Sequence, residues 1–251
     1  MDTLTKMKFN LKNIRNEKIR EIEVLKERRS LRRKIEESRR MNLYPIIAEI
    51  KLRSPVIGRI SNNDPIELAK IFEKAGACGI SVLTDKNFDG KIDYLRDVKR
   101  TVKLPVLRKD FIVDEFQIYE SYAYGADVIL LITEILKNKT KEFVRISKKL
   151  GMEAIVEVHK KENIEYALKS KTNLIGINSR DLDTLKIDLD IIEKLIPEIP
   201  DDRIIIGESG INNKDDLRRI FSAGVDAVLI GTGIVTAENI EEKIQEFVKK
   251  K

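Results

Sequence analysis

The sequence contains a single cysteine and no long apolar segment. One cysteine, Cys78, excludes a disulfide framework, and because it begins an apolar run we interpret it as a buried structural residue. No window approaches the roughly 18 consecutive apolar residues of a membrane-spanning helix. The first residues, Met1 to Met7, lack the apolar core of a secretory signal. We therefore expect a cytoplasmic protein without a membrane partner.

Length and composition favour one globular domain. The chain has 251 residues, of which 42% are hydrophobic and 36% charged, so it can bury a full core without disulfides. Barrels of this size form a single domain, and we expect residues 1–251 to do so. Abundant Lys, Glu and Ile with very few Gln resembles the composition of thermophile proteins.

The positive charge is concentrated in one segment. The net charge is +6. Residues 1–40 carry 14 Lys and Arg against 7 Asp and Glu, whereas the rest of the chain carries 34 Lys and Arg against 35 Asp and Glu. Apolar residues at helical spacing predict one or two amphipathic helices. We expect residues 1–44 to be a basic helical extension packed on the main domain, beside its active-site mouth, where its charge attracts anionic substrates.

The same basic segment leaves a second interpretation open, namely binding of RNA or of another partner. The run Arg28–Lys34 has the charge for this, but no aromatic residues are interleaved and no reading motif is present. An affinity that falls steeply with salt would be its signature. We favour a solvated helix face and no nucleic-acid partner.

Eight short apolar runs alternate with helical segments along the chain. Near-continuous β-branched runs are typical of strands that are covered on both faces, and strand–helix alternation predicts a parallel sheet. Eight such units predict a single (β/α)8 TIM barrel with an N-terminal helical extension. The runs are Pro45–Lys51, Gly79–Thr84, Pro105–Asp110, Val128–Thr133, Ala154–Glu157, Leu174–Asn178, Ile204–Ser209 and Ala227–Thr232.

Glycines at the ends of three predicted helices support this division. Gly76, Gly125 and Gly224 each precede a buried run, where a positive φ angle ends a helix. The predicted helices lie near residues 64–75, 92–101, 115–123, 139–150, 162–169, 188–195, 214–222 and 239–249.

Polar side chains stand where the apolar runs end, which is the edge at which barrels place their active sites. Residues two apart share a face of a strand. The pairs Glu49 with Lys51, Glu157 with His159, and Asn178 with Arg180 therefore lie on common faces, and Lys109 and Glu208 end two further strands. Burying so many charges requires mutual pairing or an anionic ligand. For Arg180 and His159 alone, closing a loop is an alternative role.

Two small turns indicate the ligand. Glu208-Ser209-Gly210 follows the seventh run and Gly231-Thr232-Gly233 the eighth, and barrels often bind phosphate at these positions through backbone N–H groups. A phosphorylated small molecule is the expected substrate.

Taken together, the motifs resemble the indole-3-glycerol-phosphate synthase family, from about Pro45 to Gly233. They are Ile47-Ala-Glu-Ile-Lys51 with Ser54-Pro55, Ser81-Val-Leu-Thr84, Lys109-Asp-Phe-Ile112, Gly125-Ala-Asp127, Leu130-Leu-Ile132, Glu157-Val-His159, Gly176-Ile-Asn178 with Arg180-Asp-Leu182, and Glu208-Ser-Gly-Ile211. The loop Ser54-Pro-Val-Ile-Gly58 departs from the family's usual Ser-Pro-Ser-x-Gly, which affects the expected loop contacts.

The resemblance implies a lyase of tryptophan biosynthesis. It would close 1-(2-carboxyphenylamino)-1-deoxyribulose 5-phosphate to indole-3-glycerol phosphate with loss of carbon dioxide and water, using no metal or organic cofactor. Attack of an aromatic carbon on a ketone needs a proton donor at that oxygen. By resemblance Lys109 is the general acid and Glu157 the base. Lys51 binds the phosphate or carboxylate and shares proton donation.

The remaining roles are also implied by the resemblance. Glu49 and Glu208 orient the lysines, while Asn178 and Arg180 position the substrate. The expected contacts with the anthranilate end and with the phosphate come from Ser54, Phe88, Phe111, Ser209, Gly210, Gly231 and Thr232. A monomer is expected.

One alternative enzyme remains open from the residues alone. A desolvated lysine on a barrel strand is also the nucleophile of Schiff-base aldolases, so Lys109 is compatible with another phosphate-binding barrel enzyme.

Overall fold

The computed structural model describes residues 27–54 and 57–250, and it contains the predicted closed barrel. All eight barrel strands are parallel, and each pairs with its two neighbours in chain order until the eighth closes on the first. They are β1 (Ile46–Ile50), β2 (Gly79–Leu83), β3 (Val106–Lys109), β4 (Val128–Ile132), β5 (Glu153–Val158), β6 (Leu174–Asn178), β7 (Ile204–Glu208) and β8 (Ala227–Ile230).

Helices follow the strands as the sequence predicts, with boundaries within two residues for the main helices. They are α1 (Leu31–Arg40), α2 (Pro65–Lys74), α3 (Ile92–Thr101), α4 (Glu115–Ala123), α5 (Thr133–Leu136), α6 (Thr140–Lys149), α7 (Ile164–Ser170), α8 (Asp190–Leu195), α9 (Lys214–Ala223), α10 (Thr232–Val235) and α11 (Ile240–Val248). Arg53–Ser54 and Gly58–Arg59 form a short antiparallel hairpin after β1. Within the described residues no helix is long and apolar enough to cross a bilayer.

The expected glycines do end helices. Gly76, Gly125 and Gly224 have φ angles of 96°, 87° and 116°, a region that side chains with a Cβ atom rarely adopt. Each therefore lets the chain turn directly from a helix into the next strand.

Apolar side chains pack in two layers. One layer fills the barrel interior, with Ile47, Leu107, Ile155 and Leu229 among its members, and the other lies between the sheet and the helices. Cys78 is buried as well, and burial raises the pKa of its thiol to about 12, so it remains a neutral thiol.

Helix α1 closes the amino-terminal end of the barrel. Leu31 and Ile35 belong to the interior layer and are 1% and 0% exposed. Glu153, at the start of β5, accepts hydrogen bonds from the Leu31 backbone N–H and the Ser30 hydroxyl, both at 2.7 Å. The Ser30 hydroxyl oxygen in turn caps the helix by accepting from the Arg33 N–H.

For residues 31–40, this placement shows that one expectation was wrong. The basic segment was predicted beside the active-site mouth, but residues 31–40 lie at the opposite end, because Leu31 and Ile35 fill the opening that the strands leave there. The predicted helices within residues 1–26 lie outside the described residues.

A buried charge cluster also holds this end together. Asp127 accepts hydrogen bonds from the Lys99 ammonium at 2.7 Å, from the Val106 N–H at 2.9 Å and from the Arg29 N–H at 2.8 Å. Burial lowers the pKa of Lys99, and the nearby Asp127 carboxylate opposes that shift. The cluster joins three elements far from the carboxyl ends of the strands, so we assign it to stability.

Substituting Leu31 by Ala tests the structural role of α1. The change leaves a cavity under the barrel and should lower the free energy of unfolding by about 2–5 kcal/mol, measured by urea denaturation. Met41→Ala, at a side chain that is 64% exposed, is the control and should change it by less than about 0.5 kcal/mol. Because α1 lies opposite the mouth, KM should not change, and a raised KM in Leu31→Ala would contradict this placement.

Candidate active site

A cavity of about 960 Å³ opens at the carboxyl ends of the strands. Thirteen of the fourteen predicted site residues line it, and the exception is Glu208, which is fully buried beneath Lys109. The thirteen are Glu49, Lys51, Ser54, Phe88, Lys109, Phe111, Glu157, Asn178, Arg180, Ser209, Gly210, Gly231 and Thr232. The prediction that the strand ends converge on one mouth is therefore confirmed.

Lys109 is the centre of the charged cluster. It ends β3, and its ammonium forms an ion pair with Glu208 at the end of β7. The Glu157 carboxylate on β5 lies 3.7 Å away through Oε2. The two carboxylates are 0% and 1% exposed, so Lys109 is their nearest source of neutralising charge.

The cluster sets the protonation of both partners in the Lys109–Glu208 pair. Burial by itself lowers the pKa of Lys109, but the carboxylates of Glu208, Glu157 and Glu49 outweigh it and raise the pKa above the usual range. Burial raises the pKa of Glu208 to about 7, with Glu157 adding to the shift and Lys109 opposing it. Lys109 is therefore an ammonium group at neutral pH.

The second lysine has a different environment. Lys51 Nζ lies 3.9 Å from Glu49 Oε1 and 5.6 Å from the centroid of the Phe88 ring. Burial lowers the pKa of Lys51, Arg180 and Lys109 lower it further, and Glu49 alone opposes them. An anionic substrate group beside Lys51 would restore its charge.

Two glycines, of which the sequence assigned only Gly231 to the site, make room for its carboxylates. A Cβ atom at Gly176 would lie 2.4 Å from Glu208 Oε1, and one at Gly231 would lie 2.4 Å from Glu49 Oε1. Only a residue without a side chain lets these carboxylates lie across the neighbouring strand. Gly231 was predicted as a phosphate contact, and this steric role is additional.

Asn178 is held by the loops on either side of it. Its Oδ1 accepts hydrogen bonds from the Ser209 hydroxyl at 2.8 Å and from the Arg180 N–H at 3.0 Å. Since the oxygen is engaged in both, the amide NH₂ group is the part of Asn178 that remains for a ligand.

Arg180 closes a loop, which is one of the two roles that the sequence left open, and it also lines the cavity. Its Nη1 donates to the Leu185 carbonyl at 3.0 Å, which closes the loop after β6. The side chain also lines the cavity. Burial lowers the pKa of Arg180, and Glu49 opposes that shift.

The two turns predicted to hold phosphate lie against each other. Ser209 and Gly210 have φ angles of 68° and 78°, so the chain after β7 bends sharply. A Cβ atom at Gly233, in the turn after β8, would lie 2.7 Å from the Ile211 carbonyl oxygen. Close backbone approach at this rim is a feature of anion-binding turns.

Apolar side chains make up much of the remaining cavity lining. Phe88 and Phe111 are there as predicted, and Phe111 is 38% exposed. The sequence did not assign the other apolar lining side chains to the site, because an apolar residue in a strand or a loop carries no chemical sign of contact with a ligand: Ile57, Leu83, Leu130, Ile132, Ile135, Leu182, Leu185, Ile187, Ile211, Leu229 and Ile230.

His159 lies outside the cavity lining, behind Glu157. It is 4% exposed, with Nε2 3.3 Å from Glu157 Oε1 and Nδ1 2.5 Å from Glu134 Oε2. Glu134 is the second residue of α5, the helical turn after β4, and was not singled out in the sequence. Nowhere in residues 27–54 or 57–250 do three His, Cys, Asp or Glu side chains form a metal-binding group.

Substituting Gly176 by Ala tests the packing of the charged cluster. The new methyl group displaces the Glu208 carboxylate from Lys109, and kcat should fall by about 10²-fold, the cost of misplacing a catalytic group by about 1 Å. Gly207→Ala is the matched control on β7, where a Cβ atom would meet only apolar side chains, Ile220 at 3.1 Å being the nearest. Both variants should lose stability, but Gly207→Ala should keep its turnover per folded molecule. Equal turnover in the two would refute this role of Gly176.

Comparison with known proteins gives one consistent result. The model of the family described as indole-3-glycerol phosphate synthase matches residues 3–247. The indole-3-glycerol phosphate synthase of Caldanaerobacter subterraneus subsp. tengcongensis is 49% identical over 207 residues, 82% of this chain and 80% of that protein. The synthase of Aquifex aeolicus is 44% identical over 207 residues, 81% and 80% of the two chains.

Among solved structures, a thiamine phosphate pyrophosphorylase from Pyrococcus furiosus superimposes with a TM-score of 0.60 at 16% identity, covering 81% of this chain and 93% of its own. At that identity the likeness concerns the fold alone. The family model and the sequence relatives establish more: this chain belongs to the indole-3-glycerol phosphate synthase family.

Proposed function

We propose that this protein closes 1-(2-carboxyphenylamino)-1-deoxyribulose 5-phosphate to indole-3-glycerol phosphate, with loss of carbon dioxide and water, as a lyase of tryptophan biosynthesis. Family membership supports the reaction. The observation that carries it in this chain is the Lys109 ammonium, held between the buried carboxylates of Glu208 and Glu157 at the floor of the cavity. Production of an indole from this substrate, followed by fluorescence, is the direct test.

Lys109 is the general acid in this proposal. Ring closure places negative charge on the ketone oxygen, and a charged lysine can protonate or polarise that oxygen. The raised pKa of Lys109 supports the role, because the group is charged before the substrate arrives. Glu208 holds the ammonium in place from below.

Glu157 is the base that removes the anilinic proton. Its carboxylate lines the cavity and lies next to Lys109, so a single substrate can reach both groups. A neighbouring acid and base on different strands can act at two atoms of the same intermediate.

The other charged and polar residues bind and orient the substrate. Lys51, oriented by Glu49, pairs with the phosphate or the carboxylate and contributes a proton during dehydration. Asn178 and Arg180 hold the hydroxyl groups of the ribulose chain. Their hydrogen bonds to surrounding loops support this, because each is fixed before a ligand arrives.

The two ends of the substrate go to the two sides of the cavity. The turns containing Ser209, Gly210, Gly231 and Thr232 receive the phosphate. The anthranilate ring packs on Phe88 and Phe111, with Ser54 at its edge. No cofactor takes part, since proton transfer and charge stabilisation suffice for the bond changes.

We also propose that the protein works as a monomer in the cytoplasm, without a nucleic-acid partner. Apart from Glu208, which is buried beneath Lys109, every residue assigned a role lines one cavity within a single chain. For the described part of the basic segment, the arginines of α1 pair with acidic neighbours such as Glu36 and Glu37, which reduces the charge available to a polyanion.

The aldolase alternative makes a distinct demand on Lys109. A Schiff-base nucleophile must be a neutral amine, whereas the carboxylates around Lys109 raise its pKa. Borohydride with a ketose phosphate should therefore not label the protein. Stoichiometric reductive trapping at Lys109 would favour the aldolase.

Substituting Lys109 by Met removes the charge and keeps the length of the side chain. Without general-acid assistance kcat should fall by about 10²- to 10⁴-fold, while a substrate analogue still binds through its phosphate. Steady-state turnover and a binding titration separate the two effects. A variant within a few-fold of wild-type turnover would remove Lys109 from the mechanism.

Glu157→Gln keeps the shape of the base and removes its basicity. Turnover at saturating substrate should fall by about 10²-fold or more, with binding of inorganic phosphate retained. His159→Asn should cost little by comparison, because His159 does not line the cavity. The opposite order of the two losses would reassign the base to the histidine.

A further inference from the structure

Glu134 and His159 form, with Glu157, a chain of three titratable groups that extends from the cavity into the protein. Glu157 lines the cavity, whereas the other two do not. The two oxygens of Glu157 face different partners: Oε2 lies 3.7 Å from Lys109 Nζ and Oε1 lies 3.3 Å from His159 Nε2. On its other side the imidazole meets Glu134, with 2.5 Å between Nδ1 and Oε2.

The ring nitrogens of His159 have no hydrogen-bond partners other than these two carboxylates within the described residues. Both ring nitrogens are buried, and neither makes a hydrogen bond of ordinary geometry. The distances of 2.5 Å to Glu134 and 3.3 Å to Glu157 are within reach of a hydrogen bond, so it is the angles that depart from ordinary geometry. Unpaired polar atoms are costly in a protein interior, so the position of this buried histidine between two carboxylates calls for a functional or structural explanation.

The imidazole ring is neutral at pH 7. Burial lowers the pKa of His159, and Lys109 lowers it further, although Glu134 and Glu208 act in the opposite direction. A neutral imidazole has one N–H and one lone pair. It can donate to one of its two carboxylate neighbours, and it can only accept from the other.

The surroundings of the two carboxylates decide which of them receives the N–H. The Glu134 side chain is 19% exposed and its Oε1 lies 4.0 Å from Lys160 Nζ, so water and a cation support its negative charge. The Glu157 side chain is 2% exposed, and in the proposed reaction its carboxylate must take up a proton. The arrangement with the N–H on Nδ1, towards Glu134, therefore leaves the Nε2 lone pair facing Glu157.

We propose that Glu134 and His159 are positioning residues for the base: Glu134 fixes the imidazole so that its Nε2 lone pair accepts a hydrogen bond from the Glu157 carboxyl group once that group has taken the substrate's proton. The inference rests on the proposed role of Glu157 as base. It adds two residues that never touch the substrate.

The consequence is a stronger base. When the N–H bond of the substrate breaks, its proton forms an O–H bond on Glu157, and that O–H then donates to Nε2. This hydrogen bond exists only after proton transfer, so it favours the transfer. The other charged groups that face Glu157 are Lys109, at 3.7 Å, and Glu208. Substituting His159 or Glu134 alters neither of these two side chains.

The pH dependence of kcat tests the proposal. On the acid side, activity is lost as the base becomes protonated, and a lone pair that accepts from the protonated base would move that loss to higher pH. His159→Asn keeps a donor for Glu134 but removes the atom that faces Glu157. In Glu134→Gln the amide NH₂ can donate to Nδ1, which favours the tautomer with the ring hydrogen on Nε2. Nε2 then donates a hydrogen bond and can no longer accept one from Glu157.

Both variants should therefore move the acid-side midpoint of the kcat profile to lower pH by about one unit. A shift of that size corresponds to the free energy of one ordinary hydrogen bond. At pH 7 kcat should fall by about tenfold, consistent with the small loss expected for His159→Asn relative to Glu157→Gln. KM should stay within about twofold, because neither side chain lines the cavity.

Glu162→Gln is the matched control, since it removes one carboxylate from an exposed position near the same loop. Its profile should overlay that of the wild type. If His159→Asn and Glu134→Gln also overlay it, the proposal is wrong even though Glu157→Gln is inactive. If Glu157→Gln itself remains active, the proposed base is wrong, and the two failures are thereby distinguished. A loss of activity with an unchanged midpoint would show a merely structural role and would also overturn the proposal.

Discussion

The structure depends on keeping one ammonium group charged inside a barrel. Lys109 has 17% of its side chain exposed and is surrounded by the carboxylates of Glu208, Glu157 and Glu49, which outweigh the effect of burial on its pKa. These side chains come from four strands, so the cluster forms only when the barrel closes in the correct register. Glu208 would be costly to bury without Lys109, and Gly176 leaves the space that its carboxylate occupies.

The two ends of the barrel divide stability from chemistry. At the amino-terminal end, Leu31 and Ile35 close the interior, and the Asp127 cluster satisfies its charges with fixed hydrogen bonds. At the carboxyl end, Lys51 is buried with only Glu49 opposing the loss of its charge. Charges with satisfied partners stabilise a fold, whereas incompletely neutralised cations in a cavity attract an anionic substrate.

Sequence patterns predicted the fold and most of the site because both follow local rules. Apolar runs gave the strands, helix-end glycines such as Gly224 gave their starts, and parity placed Glu49 with Lys51 at the mouth. Three features could be seen only in the folded structure. Amphipathicity showed that α1 covers an apolar surface, but not at which end of the barrel. No local pattern showed that Gly176 leaves space for a carboxylate distant in sequence, and Glu134 meets His159 only because β4 pairs with β5.

The central claim, that the carboxylate cluster keeps Lys109 charged while Lys51 is easier to deprotonate, is tested most directly by NMR titration of protein labelled with ¹³C at lysine Cε. Variants lacking one of the two lysines assign the signals. The account predicts that the Lys109 signal does not titrate until above the usual lysine pKa of about 10.4, and that Lys51 titrates below it. A Lys109 signal that titrates below an ordinary lysine, or before Lys51, would contradict the account.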